Sequence, residues 1–303
     1  MGSSKIRIAV IPAAGRGTRF LPATRVIPKE MMPVAGRPII QFAVEEAAAS
    51  GLETVILVLR RGKEVVAEHF QSDGISERSA PQPGNGSHPA AVLGHLSQLV
   101  DVRTVWQEAP LGLADAVRAA QPAIDDEPFA VILPDALIDS AVPCTRQLMD
   151  CYAEHPGCVL ATQLIDSGEV DRFGILDLVP IHNSDNGGRT MKVTSLVERP
   201  RVGSVSSRYG IFGRYILEPG IFESIGHTYP GLNGELHLTD ALMVHTAKAP
   251  VYGYQFDGTH YDAGSKLGFV EATVAYALKD PEIASMLRKR LASGTFAATT
   301  PVR

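Results

Sequence analysis

The stretch from Ile11 to Val34, IPAAGRGTRFLPATRVIPKEMMPV, decides how the rest of this 303-residue chain is read. The apolar, β-branched run Ile6 to Ile11 that leads into it reads as a buried strand, and Gly15 with Gly17 lets the chain turn tightly where that strand ends. Glycines leave backbone N–H groups open to an anion, while Arg16 and Arg19 add planar, bidentate cationic donors suited to phosphate oxygens. Two familiar phosphate loops are excluded. A dinucleotide turn needs G-x-G-x-x-G, but Phe20 stands at the third glycine position, and no G-x-x-x-x-G-K-[ST] string follows. On its own, a strand ending in Gly-x-Gly also suits an ordinary tight turn.

Working outward, strand-like and helix-like patterns alternate. IRIAVIPA, ETVILVLR, VRTVWQE and FAVILPDALID read as strands; PIIQFAVEEAAASG (ended by Gly51), GKEVVAEHF and GLADAVRAAQPAI read as helices. This β-α-β-α-β-α-β order predicts an α/β fold with a Rossmann-like, mixed but mainly parallel central sheet flanked by helices. Ligands of such sheets bind beyond the carboxyl ends of the strands, where both the glycine turn and the PDALID turn after Leu133 fall. Strand-like segments continue through CVLATQLI, FGILDLV, TSLVERP and YGIFGRYIL, with IHNSDNGGRT as a hairpin or loop. Residues 266–292 read as helical with a boundary at Pro281. Residues 5–280 are expected to form one domain, with halves at about 5–140 and 141–265. A C-terminal helix and flexible tail follow at 281–303. Residues 72–91, rich in Pro, Gly and Ser, read as a surface loop.

Composition narrows the classes. The chain is 45% hydrophobic and 20% charged with a net charge of −5, which fits a soluble globular protein and argues against a nucleic-acid partner. No apolar run approaches the roughly 20 residues that span a bilayer, and MGSSKIRIAV lacks a secretory signal, so a cytoplasmic protein without a membrane partner is expected. Cys144, Cys151 and Cys158 are an odd count at a spacing that is no metal pattern, which predicts reduced, partly buried thiols.

The full stretch GRGTRFLPATRVIPKEMMPV resembles the signature of the sugar nucleotidyltransferases, G-x-G-T-R-x-x-P-x-T-x-x-x-P-K-x-M-x-P-V. More narrowly, IPAAGRGTRFLPAT with IPKEMMPV is similar to the bacterial UTP–glucose-1-phosphate uridylyltransferases. The likeness recurs, in the family's order, in APLGLADAV, DEPFAVILPD, DRFGILD, LVERP, GELHLTDAL and YDAGSKLGFVEATVAYAL. The resemblance implies transfer of a nucleotidyl group to a sugar 1-phosphate with release of pyrophosphate. The partners implied are UTP (or dTTP) and a sugar 1-phosphate, in a homodimer or homotetramer. Two anions must meet, so such catalysis consists mostly of positioning and charge neutralisation by cations and Mg2+.

Carried over position by position, the resemblance implies that Asp135 and Asp262 hold Mg2+, Lys29 contacts the nucleotide phosphates and Arg19 lines the leaving pyrophosphate. Backbone at Ala13, Ala14 and Gly15, with Gly17 and Thr18 of the same loop, is implied to face the nucleotide. Gln107 and Gly112 are implied to take the base edge, which does not separate uracil from thymine. Gly174 and Glu198 match positions that reach the hexose hydroxyls. Taken alone, each aspartate would more often be a turn residue or helix cap, and Lys29 a solvated charge.

Three departures stand out. Arg199 replaces the lysine of V-E-K-P that contacts the sugar phosphate; charge is kept, but the fork is longer and directional. GLADAV replaces GLGHAV and is closer to the GLAQA of thymidylyltransferases, leaving the base open; Asp115 is expected to complement the dipole at the start of its helix. The 72–91 loop replaces a charged helical segment. The same chemistry with dTTP or another sugar or cyclitol 1-phosphate remains an alternative. So does a non-catalytic nucleotide-sugar-binding protein, although such a binder has no need of Lys29, Asp135 and Asp262 together.

Overall fold

A computed structural model of the chain describes residues 5–71, 99–181, 187–231 and 234–293. The loop expected at 72–91, part of the 181–190 connection and the tail from Gly294 lie outside the described residues. The first part of the chain carries β1 (Ile8–Pro12), the short pair β2 (Pro33–Val34) and β3 (Arg37–Pro38), α1 (Ile39–Ala49), β4 (Thr54–Leu59) and α2 (Glu64–Glu68). Then come β5 (Asp101–Trp106), α3 (Leu113–Ala120), β6 (Phe129–Ile132), β7 (Ala136–Asp139), α4 (Cys144–Glu154) and β8 (Cys158–Leu164). The remainder is β9 (Gly174–Pro180), β10 (Thr190–Glu198), β11 (Tyr209–Leu217), α5 (Ile221–Gly226), α6 (Leu238–His245), β12 (Val251–Gln255) and β13 (Thr259–Asp262). Two helices, α7 (Lys266–Ala277) and α8 (Pro281–Ala292), close the described chain.

In the first half β5, β4, β1 and β6 lie side by side and parallel, with Val10 in register with Ile56 on one side and Val131 on the other. The β-branched runs predict this, because both faces of the strands are buried. Ala9, Ile11, Val55 and Leu57 point into one core with α1 and α4; Val10, Ile56 and Val58 point into the opposite core with α3, α5 and α6. Gly51 stops α1 as expected, its φ of 86° lying in the left-handed region.

The second half corrects the expectation of a mainly parallel sheet. The nine-stranded sheet runs β5-β4-β1-β6-β11-β8-β12-β10-β9, and β9 also pairs with β11, so β11, β8, β12, β10 and β9 close into a ring. Most pairings there are antiparallel. Parallel neighbours need a crossover of a dozen or more residues, usually helical, and no α-helix separates β9 from β10 or β10 from β11 among the described residues. Strand β11 belongs to both halves. Its register shifts between Ile211 and Tyr215 at Gly213, whose φ is 67°, so its end pairs with β6 and its start with β9.

FAVILPDALID is likewise not one strand. β6 ends at Ile132, the chain turns through Leu133–Asp135, and β7 pairs with β13 in a separate two-stranded ribbon. Helix α4 was not foreseen; it carries Cys144 and Cys151 two turns apart, and with Cys158 these thiols are free and buried. Burial pushes Cys151 up to about 11 and Cys158 up to about 12. No helix among the described residues is long and apolar enough to cross a membrane.

Candidate active site

At the end of β1 the Ala13 N–H donates to the Val58 carbonyl at 2.8 Å, extending the sheet edge by one residue. Ala13 and Ala14 are both buried. Gly17 then takes a left-handed turn, φ 65°, and Thr24 Oγ1 donates to its carbonyl at 2.7 Å. A Cβ at Gly15 or Gly17 would touch Lys29, the nearest contacts being 3.8 Å and 3.3 Å. The lysine therefore lies directly beneath the glycine turn. Phe20 anchors the loop edge-on against Phe269 of α7, ring centroids 5.6 Å apart.

Lys29 Nζ donates to Asp135 Oδ2 at 2.6 Å. Burial by itself disfavours the Lys29 ammonium, but Asp135 and Glu30 outweigh it and hold its pKa above the ordinary lysine value. Burial likewise opposes ionisation of Asp135, and Lys29 reverses that, leaving the carboxyl below its usual range. Asp262, opposite Ala136 in the β13–β7 ribbon, lies beside it. Both carboxylates converge on Gly264: a Cβ there would stand 2.7 Å from Asp135 Oδ2 and 3.1 Å from Asp262 Oδ1. The sum of those distances is the greatest separation the two oxygens can have. The Gly264 N–H donates to Asp262 Oδ1 at 3.1 Å, Arg172 Nη2 donates to Asp262 Oδ2 at 3.2 Å, and Arg19 Nη1 donates to the Gly264 carbonyl at 3.3 Å. No group of three or more acidic, His or Cys side chains suited to a metal occurs among the described residues. Two hard carboxylates suit Mg2+, which takes one or two such ligands and completes its shell with phosphate oxygens and water.

At the other end, Gln107 is buried; its amide N–H donates to the Leu59 carbonyl at 2.7 Å and its side-chain nitrogen to Asp115 Oδ2 at 2.6 Å. Gly112 has φ 107°, and a Cβ there would sit 2.5 Å from the Leu236 carbonyl oxygen, so only glycine fits. The residues expected to reach the sugar also meet. Glu198 pairs across β9–β10 with Gly174, and Thr239 Oγ1 donates to Glu198 Oε2 at 2.9 Å. Arg199 has a left-handed φ of 41°, with its Nε 3.4 Å from Glu198 Oε1. Such a conformation is costly for an arginine and marks a position held by its surroundings, here by its N–H on the Phe173 carbonyl at 3.1 Å.

These contacts form one circuit. From the Ala13 backbone it runs through the β4 end to Gln107, Gly112 and Leu236, then by Thr239 to Glu198 and Gly174. Arg172 carries it on to Asp262 and Gly264, and Asp135 with Lys29 returns it beneath Gly15. The site residues named from the sequence lie along it or beside it in the chain, Ala14 and Thr18 as neighbours of Gly15 and Gly17; the carboxyls of residues 135 and 262 do not face separate surfaces. A cavity lined by Val142, Gln147, Cys151 and Tyr254 lies apart from it.

The nucleotidyl transferase family model matches residues 8–279. The chain belongs to that family. UTP--glucose-1-phosphate uridylyltransferase of Staphylococcus haemolyticus is 40% identical over 285 residues, covering 94% of this chain and 97% of that protein. The enzyme of the same name from Staphylococcus epidermidis is 39% identical over 284 residues. Among solved structures, UDP-glucose pyrophosphorylase complexed with UDP-glucose superposes with a TM-score of 0.81 at 32% identity, covering 91% of this chain and all of that one. The UTP-bound enzyme from Acinetobacter baumannii superposes with a TM-score of 0.80 at 30% identity over 95% of this chain.

Several members of the circuit escaped the sequence. Thr239 lies inside GELHLTDAL and Gly264 inside YDAG, motifs that mark the neighbourhood without saying which atom faces which. Lys63 is almost fully buried, donating to Glu30 Oε2 at 2.7 Å and to the Ala13 carbonyl at 2.5 Å. Burial dominates and holds Lys63 below the ordinary lysine value, with Glu30 opposing. It ties the β1 end to the Lys29 turn. A bidentate pair does the same for Asp135: Arg214 donates to both Glu46 oxygens, at 2.9 and 2.7 Å, and to the Leu133 carbonyl at 3.1 Å.

Proposed function

We propose that this chain joins UTP to glucose 1-phosphate, forming UDP-glucose and releasing pyrophosphate. The sugar phosphate attacks the α-phosphorus in line, and pyrophosphate departs on the opposite side. Both reactants are anionic, so the protein's task is to hold them together against their repulsion. Lys29 neutralises the nucleotide phosphates and Arg19 the departing pyrophosphate. The backbone of Ala13 to Gly15, with Gly17 and Thr18, cradles the nucleotide, and Gln107 and Gly112 receive the base. Glu198 accepts from hexose hydroxyls, Gly174 lets the ring approach, and Arg199 meets the sugar phosphate. Asp135 and Asp262 would hold Mg2+, which when bound supplies charge neutralisation and geometry to the phosphates.

The observation that supports this reading best is the meeting of two carboxylates across Gly264, with Lys29 on one and Arg172 on the other, in contact continuity with Gln107 and Glu198. A protein that only binds a nucleotide sugar does not require that pair. Residues 5–140 serve the nucleotide and 141–265 the sugar. The exposed Ile283, Met286 and Leu291 of α8 suit a subunit contact in a homodimer or homotetramer, which light scattering measures. Three reduced, buried thiols agree with the cytoplasm.

The test is pyrophosphate release with UTP or dTTP against a panel of sugar and cyclitol 1-phosphates in Mg2+. Turnover greatest with UTP and glucose 1-phosphate is expected. Silence with every pair, alongside measurable binding, makes the protein a binder instead.

A further inference from the structure

The departure at Asp115 has a structural partner. Gln107 Nε2 donates to Asp115 Oδ2 at 2.6 Å and lies 3.4 Å from the Gly112 carbonyl oxygen. Arg118 Nη2 donates to the other Asp115 oxygen, Oδ1, at 2.5 Å. A carboxylate in such a pair only accepts hydrogen bonds. Turning the Gln107 amide over would set two acceptors face to face. The two amide hydrogens are thus directed to Asp115 and Gly112, leaving Oε1 as what the side chain offers to a ligand.

We infer that Asp115 is a positioning residue that fixes the Gln107 carboxamide as an acceptor, so that the base site takes a pyrimidine with a ring N–H, uracil or thymine, and rejects cytosine. The inference rests on the nucleotide site proposed above. Uracil and thymine carry a hydrogen on N3, whereas N3 of cytosine is itself an acceptor and is set against the Oε1 acceptor of Gln107. An unrestrained glutamine rotates its amide and serves either base. Dipole complementarity at the start of α3, the role expected from the sequence, alters stability alike for both nucleotides; the clamp alters their ratio.

Equilibrium dialysis of the full-length protein with UTP or CTP, in Mg2+ and without sugar phosphate, reads binding apart from turnover. The unaltered chain binds UTP at least about tenfold more tightly than CTP, the discrimination of one buried hydrogen-bonding group. Asp115→Ala collapses the ratio towards one, and Asp115→Asn lowers it at least as far, because Arg118 claims its single oxygen and turns its NH2 group on Gln107. If Asp115→Ala fails to fold, Asp115→Ser replaces it, since a hydroxyl both donates and accepts and so sets no amide polarity. An unchanged ratio in a folded Ala or Ser variant, or equal weakening of both nucleotides, overturns the clamp. Equal binding of UTP and CTP by the unaltered chain also overturns it while leaving the nucleotide site standing; binding of neither removes the site and the clamp together.

Discussion

Gly264→Ala tests the site without deleting any charge. The added Cβ falls 2.7 Å from Asp135 Oδ2 and 3.1 Å from Asp262 Oδ1, against an ordinary carbon–oxygen contact of about 3.3 Å. The Asp135 oxygen must therefore retreat by roughly half an ångström. It is not free to do so, because Lys29 Nζ holds that same oxygen at 2.6 Å. A misplacement of about 1 Å in an active site costs on the order of 100-fold in rate, so a loss of roughly 10- to 100-fold in kcat is expected. The Mg2+ concentration giving half-maximal rate should rise in parallel. The stability cost of one extra methyl in a packed place is about 1–3 kcal/mol, small enough for the variant to be purified folded. Gly226→Ala is the control, since a Cβ there meets nothing within 4 Å. Steady-state kinetics across a Mg2+ titration decide the matter. A folded Gly264→Ala protein with the parent's kcat and Mg2+ midpoint refutes the convergence of the two aspartates on the reacting groups.

Other expectations follow from the same contacts. Gly174→Ala puts a Cβ 2.8 Å from Thr239 Cγ2 and 3.3 Å from Glu198 Oε2, and should raise KM for the sugar phosphate about tenfold while leaving KM for UTP alone. A shift in the UTP term instead removes Gly174 from the sugar side. Lys29→Ala should weaken triphosphate use by about 10- to 100-fold, the scale of a charge-assisted hydrogen bond; unaltered kinetics would return Lys29 to the solvated surface. Glu46→Gln leaves Arg214 buried beside a neutral partner and should cost about 3 kcal/mol near pH 7. Although burial opposes it, Arg214 holds the Glu46 carboxyl below its ordinary 4.5. The charge therefore stabilises the fold above 4.5 and ceases to do so as pH falls through the lowered folded value. Melting curves of the parent and Glu46→Gln should converge in acid, and a gap that stays constant with pH contradicts this account.

Local patterns made the first half legible. β-branched runs buried on both faces, a glycine stop at Gly51 and proline at the head of α8 each act within a few residues, and the elements follow them. The ring did not show itself, because pairing β9 with both β10 and β11 depends on a bend at Gly213, and a lone glycine in a strand has several uses. The resemblance supplied the site residues, yet not their partners. Lys63 to Glu30, Arg214 to Glu46 and Gln107 to Asp115 are matched by the folded chain rather than by any short motif. Asp115 illustrates the limit: its place in the first turn of α3 was foreseen, but the amide it grips depends on how the β5 end lies against that helix.

Leu236 presses its backbone against Gly112, and only three residues later Thr239 grips Glu198. One short piece of main chain thus touches both the proposed base site and the proposed sugar site. Substitutions that retune the choice of base will disturb the choice of sugar, so laboratory evolution of either preference should meet strong epistasis between positions near 112 and positions near 198.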